Sequence, residues 1–284
     1  MRFLCLRVDS MLKTKVEIIY QNDDIIVINK PAGVSVTKDR TGALQLVDIL
    51  TGKLGPKITG ELRLVHRLDK DASGVMILAK NKQTQTRFSG YFEKGLIKKT
   101  YLALVSGVPA TQQGIIDAPL IRNRRNSALM CIAAKKGKKA VTDWQVLADF
   151  GSVALLAVRP LTGRTHQIRV HLSSIGLPLA IDPLYGAKQP LFLSDFKTDY
   201  RLAKDKTETP LIERLTLHAY QIELPHFASS IDNRQSKIES YFVASLDKKF
   251  AATIKMLAKY NSKGLNSFLN PDDFSKILNV ERLY

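Results

Sequence analysis

The sequence predicts an α+β fold, a mixed and mostly antiparallel sheet flanked by helices, and three observations lead there. Short β-branched runs are intermixed with segments of helical periodicity, without a steady strand–helix–strand alternation. Two of those runs, residues 141–147 and 152–158, flank Asp149-Phe150-Gly151 and read as an antiparallel hairpin. A Walker loop and a glycine-rich dinucleotide fingerprint are both missing, so a doubly wound parallel sheet is disfavoured and nucleotide cofactors have no obvious home.

In chain order, residues 16–20 and 24–29 are β-branched runs expected as strands, and Pro31-Ala-Gly-Val breaks the second. Residues 62–68 alternate loosely. A turn at 70–73 then leads into the strand Gly74-Val-Met-Ile-Leu-Ala. Asn81 is placed to cap a helix carrying Phe88, Tyr91 and Phe92 on one face. Lys99-Thr-Tyr-Leu-Ala-Leu-Val is expected as a further strand. After Pro160, residues 164–175 read as a helix closed by Gly176. Residues 187–214 are polar and form a long excursion, and 215–224 return as a strand. Beyond Phe227 the pattern turns helical. Leu246, Phe250, Ile254 and Leu257 share one face, and Asn270-Pro271-Asp272-Asp273 starts a second helix. The expected division is therefore a main α+β domain over 1–227 and a helical extension over 228–284.

The 284 residues are enough for a sizeable core, and 45% hydrophobic with 24% charged residues is the balance of a soluble globular protein. No run of about 18 apolar residues suggests a membrane span. Charge interrupts the amino terminus too early for a secretory signal, and the two cysteines, Cys5 and Cys131, suit a reduced cytoplasm better than a disulfide scaffold. The net charge of +17 is the informative quantity, because such self-repulsion usually reflects a polyanionic partner. Within 121–140 lie Arg122, Arg124, Arg125, Lys135, Lys136, Lys138 and Lys139 and no acid. A solvated loop accounts for that run; a phosphate-contacting arm accounts for it better.

Two clusters could carry chemistry. In Leu64-Val-His-Arg-Leu-Asp-Lys-Asp-Ala-Ser-Gly, strand alternation places Arg67 and Asp69 on one side. An isolated aspartate at a strand end is often a turn-former, but here other polar groups crowd the same place. In Leu161-Thr-Gly-Arg-Thr-His-Gln-Ile-Arg-Val-His, a helix spaces Arg164, Gln167 and His171 along one stripe, with Thr165 and Arg169 on the next. Two arginines at a helix start oppose its dipole, so an anion is expected there, either Asp69 or a phosphate. His166 and His171 could equally be hydrogen-bonded core histidines. A metal site is not expected, since no matching ligands lie nearby.

Together these segments resemble the RluA-type pseudouridine synthases. The matching stretches are Ile28-Asn-Lys-Pro-Ala-Gly, His66-Arg-Leu-Asp with Ser73-Gly74, and Lys99-Thr-Tyr-Leu-Ala. They continue with Arg159-Pro-Leu-Thr-Gly-Arg-Thr-His-Gln-Ile-Arg-Val-His, Asp182-Pro-Leu-Tyr-Gly and Leu217-His-Ala. They run in the family's order over about residues 16–227. Ala72 stands where the family often has Thr, and Ala180-Ile181 precedes Asp182 where a Gly is usual.

The resemblance implies a pseudouridine synthase-like fold and a cofactor-free isomerisation of uridine in structured ribosomal or transfer RNA. It implies Asp69 as the essential carboxylate acting at the ribose, and Arg67 as the side chain that fills the space left by the departing uridine. Tyr101 is implied to stack on the uracil and assist proton removal at C5, and Arg169 to pair with Asp69. His66, Arg164 and His166 are expected to contact substrate, with Arg122, Arg124, Arg125, Lys135 and Lys136 on phosphates. A monomer is expected, in a stand-alone form without an amino-terminal S4-like domain, because only about 15 residues precede the first strand.

General chemistry supports those roles. An arginine beside a carboxylate keeps it ionised, and a flipped base needs a replacement contact and a stacking surface. A non-catalytic RNA-binding protein of this fold is the chief alternative. A nucleoside hydrolase is another, with Asp71 or Asp182 as its second acid. No recognition-helix motif supports a DNA-binding regulator.

Overall fold

The computed structural model describes residues 16–37, 45–55, 62–197, 199–202, 206–225 and 241–260. The chain begins with β1 (Glu17–Gln21), β2 (Ile25–Lys30), α1 (Leu46–Leu54), β3 (Arg63–Leu64), β4 (Ser73–Ala79) and α2 (Lys82–Glu93). Strands β5 (Lys98–Ser106), β6 (Gln113–Asp117), β7 (Leu120–Arg122), β8 (Met130–Ile132), β9 (Val141–Asp149) and β10 (Val153–Pro160) follow. Helix α3 (Gln167–Ser174), a 3₁₀ turn (Leu193–Asp195), β11 (Leu217–Glu223), β12 (Tyr241–Val243) and α4 (Lys248–Tyr260) complete the described elements. They fall into two compact units, Met1–Thr100 with His218–Ser245, and Tyr101–Leu217 with Leu246–Tyr284.

In the first unit the strands run β1-β2-β4-β11, with β12 on β11 and β3 on β4. The β1–β2, β2–β4, β3–β4 and β11–β12 pairs are antiparallel, and β4–β11 is parallel. Every residue of β4 is buried, as are four consecutive residues of β2, so both strands read as unbroken apolar runs rather than as alternation. Helix α2 begins as expected, with the Asn81 side chain accepting the Thr84 N–H at 2.8 Å. Asp24 accepts the Thr84 hydroxyl at 2.9 Å, which fixes the helix start to the β1–β2 turn, and Phe88 is fully buried.

Strands β5, β10, β9 and β6, most of β5 included, form the second unit's antiparallel array. The expected β9–β10 hairpin is present, closed by the Phe150 N–H on Val153 O and by Gly151 at φ 85°, where a left-handed residue is needed. Strands β7 and β8 form a separate two-stranded ribbon. Helix α3 packs on β8, β9 and β10. Helix α4 buries Phe250, Ile254 and Leu257, the face its spacing predicts.

Three expectations change. Residues 62–68 are strand only at Arg63–Leu64, and the chain then leaves the sheet as a loop. The helix expected over 164–175 starts at Gln167, because His166 takes a left-handed conformation (φ 53°) that cannot continue a helix; Arg164 and Thr165 precede it. The tail expected to be helical contains strand β12 as well as α4, and the helix expected at Asn270 lies outside the described residues.

Candidate active site and nucleic-acid interface

Asp69 lies in the first unit on the loop between β3 and β4. Strand β4 pairs with β3 at Leu78 and Ala79, and with β11 at Ser73 and Gly74. Between the two pairings the Ile77 N–H donates to His66 Nε2 at 2.9 Å, so the loop leaves β4 without orphaning that amide. The His66 ring stacks on Phe92, with centroids 4.2 Å apart. Burial, with the Lys99 charge adding to it, pushes the His66 pKa down to about 3. Burial likewise lowers that of Lys99. His66 is thus a neutral acceptor that anchors the loop.

The far end of the loop is held by Lys30, which is fully buried. Its ammonium donates to Pro31 O, Val34 O and Lys70 O, each at 2.9 Å, and the Gly33 N–H adds a second donor to Lys70 O. A buried charge is tolerable only when so fully hydrogen-bonded, and here its bonds fix the residue following Asp69. After the Asp69–Ala72 turn the chain passes very close to β11. A Cβ on Gly74 (φ 119°) would lie 2.1 Å from Ala219 O. Beside it the Ser73 hydroxyl meets His218 Nδ1 at 2.9 Å, and His218 Nε2 meets Ala244 O at 3.0 Å. Arg67 is exposed and Asp69 half-buried; both sit in irregular backbone, so the alternation that placed them on one side does not apply.

Tyr101 and Arg169 belong to the second unit. Tyr101 is half-buried on β5, opposite Val158 of β10. Arg169, on α3, makes a buried bidentate ion pair with Asp182, at 2.8 Å from Nε and 2.7 Å from Nη2. Asp182 Oδ1 also accepts the Leu184 and Tyr185 N–H groups. Within the second unit Asp182 is thus an anion for Arg169, a pairing that the sequence pattern does not signal. The helix start is fixed by Gln167, whose Oε1 accepts from the Thr162 hydroxyl and the Arg164 N–H. Its amide donates to Val141 O and Thr142 Oγ1. These bonds help hold the strained His166 backbone. His166 Nδ1 meets the Tyr185 hydroxyl at 2.8 Å. His171 is a core histidine, buried between Thr142 Oγ1 and Ala118 O, and burial lowers its pKa.

The basic run forms the β7–β8 ribbon and its flanks. Arg122, Arg124, Arg125, Lys135, Lys136, Lys138 and Lys139 are all exposed. Lys136 is left-handed at φ 58°. Arg164, also exposed, donates Nε to Lys139 O, which adds an eighth cation to the same surface. No group of three metal-ligating side chains occurs among the described residues.

Sequence reasoning missed Lys30, Tyr185 and His218 as working parts, and it named Asp182 only as an alternative acid and not as the partner of Arg169. Each lies inside one of the matching motifs, so a signal is present, but their partners are set by tertiary packing.

Solved structures define the class. The chain is similar to a human RNA pseudouridylate synthase domain containing 4 structure, with a TM-score of 0.60 and 27% identity over 90% of this chain and 98% of that one. Its similarity to human RNA pseudouridylate synthase domain containing 1 has a TM-score of 0.59 at 27% identity, covering 82% and 84%. The family model for RNA pseudouridylate synthase matches residues 24–174. An uncharacterized RNA pseudouridine synthase of Zymomonas mobilis is 38% identical over 73% of this chain and 86% of its own length. Ribosomal large subunit pseudouridine synthase C of Vibrio cholerae is 34% identical over 75% of this chain, but only 62% of its own length is covered. The chain belongs to the RNA pseudouridine synthase family and is of the RluA type.

Proposed function

We propose that this protein isomerises uridine to pseudouridine in structured RNA, with Asp69, Tyr101 and Arg169 as its catalytic residues. The observation that carries the reading is the Asp69 loop, a half-buried carboxylate between a histidine anchor on one side and a buried lysine clamp on the other. A turn-forming aspartate would not need that rigidity, whereas a group that must meet a ribose carbon or its proton does. In the reaction the uracil N1–C1′ bond breaks, the base turns, a C5–C1′ bond forms, and the proton lost from C5 is matched by one gained at N1. Atoms balance without a redox partner. Asp69 acts at the ribose, Tyr101 stacks on the uracil and assists loss of the C5 proton, and Arg169 is the basic group of the site. Arg67 fills the gap left in the RNA, which offsets part of the few kcal/mol that base flipping costs.

The relatives named ribosomal large subunit synthases support ribosomal RNA as the substrate, with transfer RNA offering the same splayed loops. Grip on the RNA comes from the ribbon cations and Arg164. A nucleoside hydrolase using Asp182 as its acid is disfavoured, because that carboxylate is buried in a bidentate pair with Arg169 and also holds the Leu184 N–H. The test is a pseudouridine map of total RNA from cells lacking the protein, complemented with wild type or Asp69→Asn. One or a few sites should vanish and return only with wild type. Restoration by Asp69→Asn would remove the carboxylate from the mechanism.

A further inference from the structure

We infer that Tyr185 is a positioning residue through which RNA seated on the basic ribbon sets the helix that carries Arg169. This rests on the functional reading above and goes beyond it, since that reading uses the ribbon only for affinity.

The ribbon cannot hold its own geometry. A lone two-stranded hairpin is marginal in water, and β7 and β8 each pair over only three residues. Leu120 also exchanges two backbone bonds with Lys138, and the side-chain support comes from α3. Leu120, Ala140 and Val170 form a buried apolar cluster, with Met130 and Tyr185 packed against it. Within that cluster the Met130 N–H donates to the Tyr185 hydroxyl at 2.7 Å. The same hydroxyl meets His166 Nδ1 at 2.8 Å, at the left-handed residue that starts α3. Under the ring, the Arg169 guanidinium lies 5.1 Å from the centroid, within cation–π range. Through its main chain Tyr185 also reaches both ends of that node. Its N–H donates to Asp182 Oδ1 at 3.2 Å, and its carbonyl accepts the Ser173 hydroxyl at 3.0 Å.

One side chain therefore touches the backbone of β8, the first turn of α3 and the catalytic arginine. A displacement of β8, as when phosphates settle on Arg122, Arg124 and Arg125, moves Met130 against a hydroxyl that is also bonded to His166. Packing alone would need only the ring. The hydroxyl is the part that links ribbon to helix, so its removal separates coupling from packing.

The experiment is a double-mutant cycle on the single-turnover rate at saturating RNA. It uses total RNA from cells lacking the protein and reads pseudouridine at the mapped site. The four proteins are wild type, Tyr185→Phe, Arg124→Ala/Arg125→Ala, and the combination. Coupling predicts that each change alone lowers the saturated rate by about tenfold, the scale of one lost hydrogen bond, and that the combination loses no more. Losses that multiply, or an unchanged rate in Tyr185→Phe, overturn the inference. A second readout needs no activity. Hydrogen exchange at the Met130 amide in RNA-free Tyr185→Phe should be about tenfold faster, while amides within α3 stay protected. An unchanged Met130 amide overturns the inference too. Were the wild type to form no pseudouridine, the functional reading itself would fail, and this inference with it.

Discussion

A histidine whose Nε2 is filled by a strand amide and whose ring lies against Phe92 has no room for a second proton. His66 therefore links the Asp69 loop to pH. Its folded pKa of about 3 lies below the ordinary 6.5, so the unfolded chain binds the proton first as pH falls. The stabilisation is whole above 6.5 and is lost progressively from there towards 3. Urea midpoints measured at pH 7 and 5 should show the wild type losing stability, and His66→Gln, which keeps an acceptor for the Ile77 amide, losing less. Lys30 is a sharper case. Lys30→Met removes the donor from three carbonyls at once and should cost about 3 kcal/mol, with activity falling further because the Asp69 loop loses its clamp. Thermal unfolding together with single-turnover assays at a temperature where the variant stays folded would separate the two losses.

At the scale of elements, legibility follows how local the cause is. The β9–β10 hairpin, α2 with its Asn81 cap and the buried face of α4 are all visible in the sequence, because spacing and turn residues decide them within a few positions. Strand β3 is shorter than its pattern because a side chain, His66, takes over the edge of β4 in place of backbone pairing. Helix α3 starts later than its pattern because nothing in Arg164-Thr-His signals a left-handed His166. Strand β12 has no signature of its own, since three residues become a strand only by pairing with β11. The site divides the same way. Asp69, Tyr101 and Arg169 stand out by motif, while the Arg169–Asp182 pair spans a loop that no periodicity describes. The ribbon is legible from charge alone, and its seven cations are exposed, so it makes a clean prediction. Replacing Arg122, Arg124, Arg125, Lys135 and Lys136 with Ser should leave the unfolding midpoint nearly unchanged, as exposed substitutions do. The slope of log binding constant against log salt should flatten by about 0.7–0.9 for each phosphate no longer neutralised. An unaltered slope in filter-binding titrations would move the RNA grip elsewhere.

For the whole molecule, a charge of +17 has a consequence that no single residue carries. Counterion release acts on any RNA regardless of sequence, so affinity must fall steeply with ionic strength for target and non-target RNA alike. Chemistry at an anchored loop does not share that dependence. The His66 anchor and the Lys30 clamp are internal hydrogen bonds, and the Arg169–Asp182 pair is buried, so screening by salt reaches them weakly. Discrimination between uridines then falls on the step that extracts the base, whose cost depends on how the RNA holds it. Salt should accordingly split the kinetic constants. Raising it from about 50 to 200 mM should increase KM by orders of magnitude while leaving the single-turnover rate at saturating RNA within about twofold. Steady-state and single-turnover assays on the mapped RNA would check this. A saturated rate that drops along with affinity would mean that salt also loosens RNA already seated on the ribbon or the Asp69 loop itself, and screening would then reach more than binding.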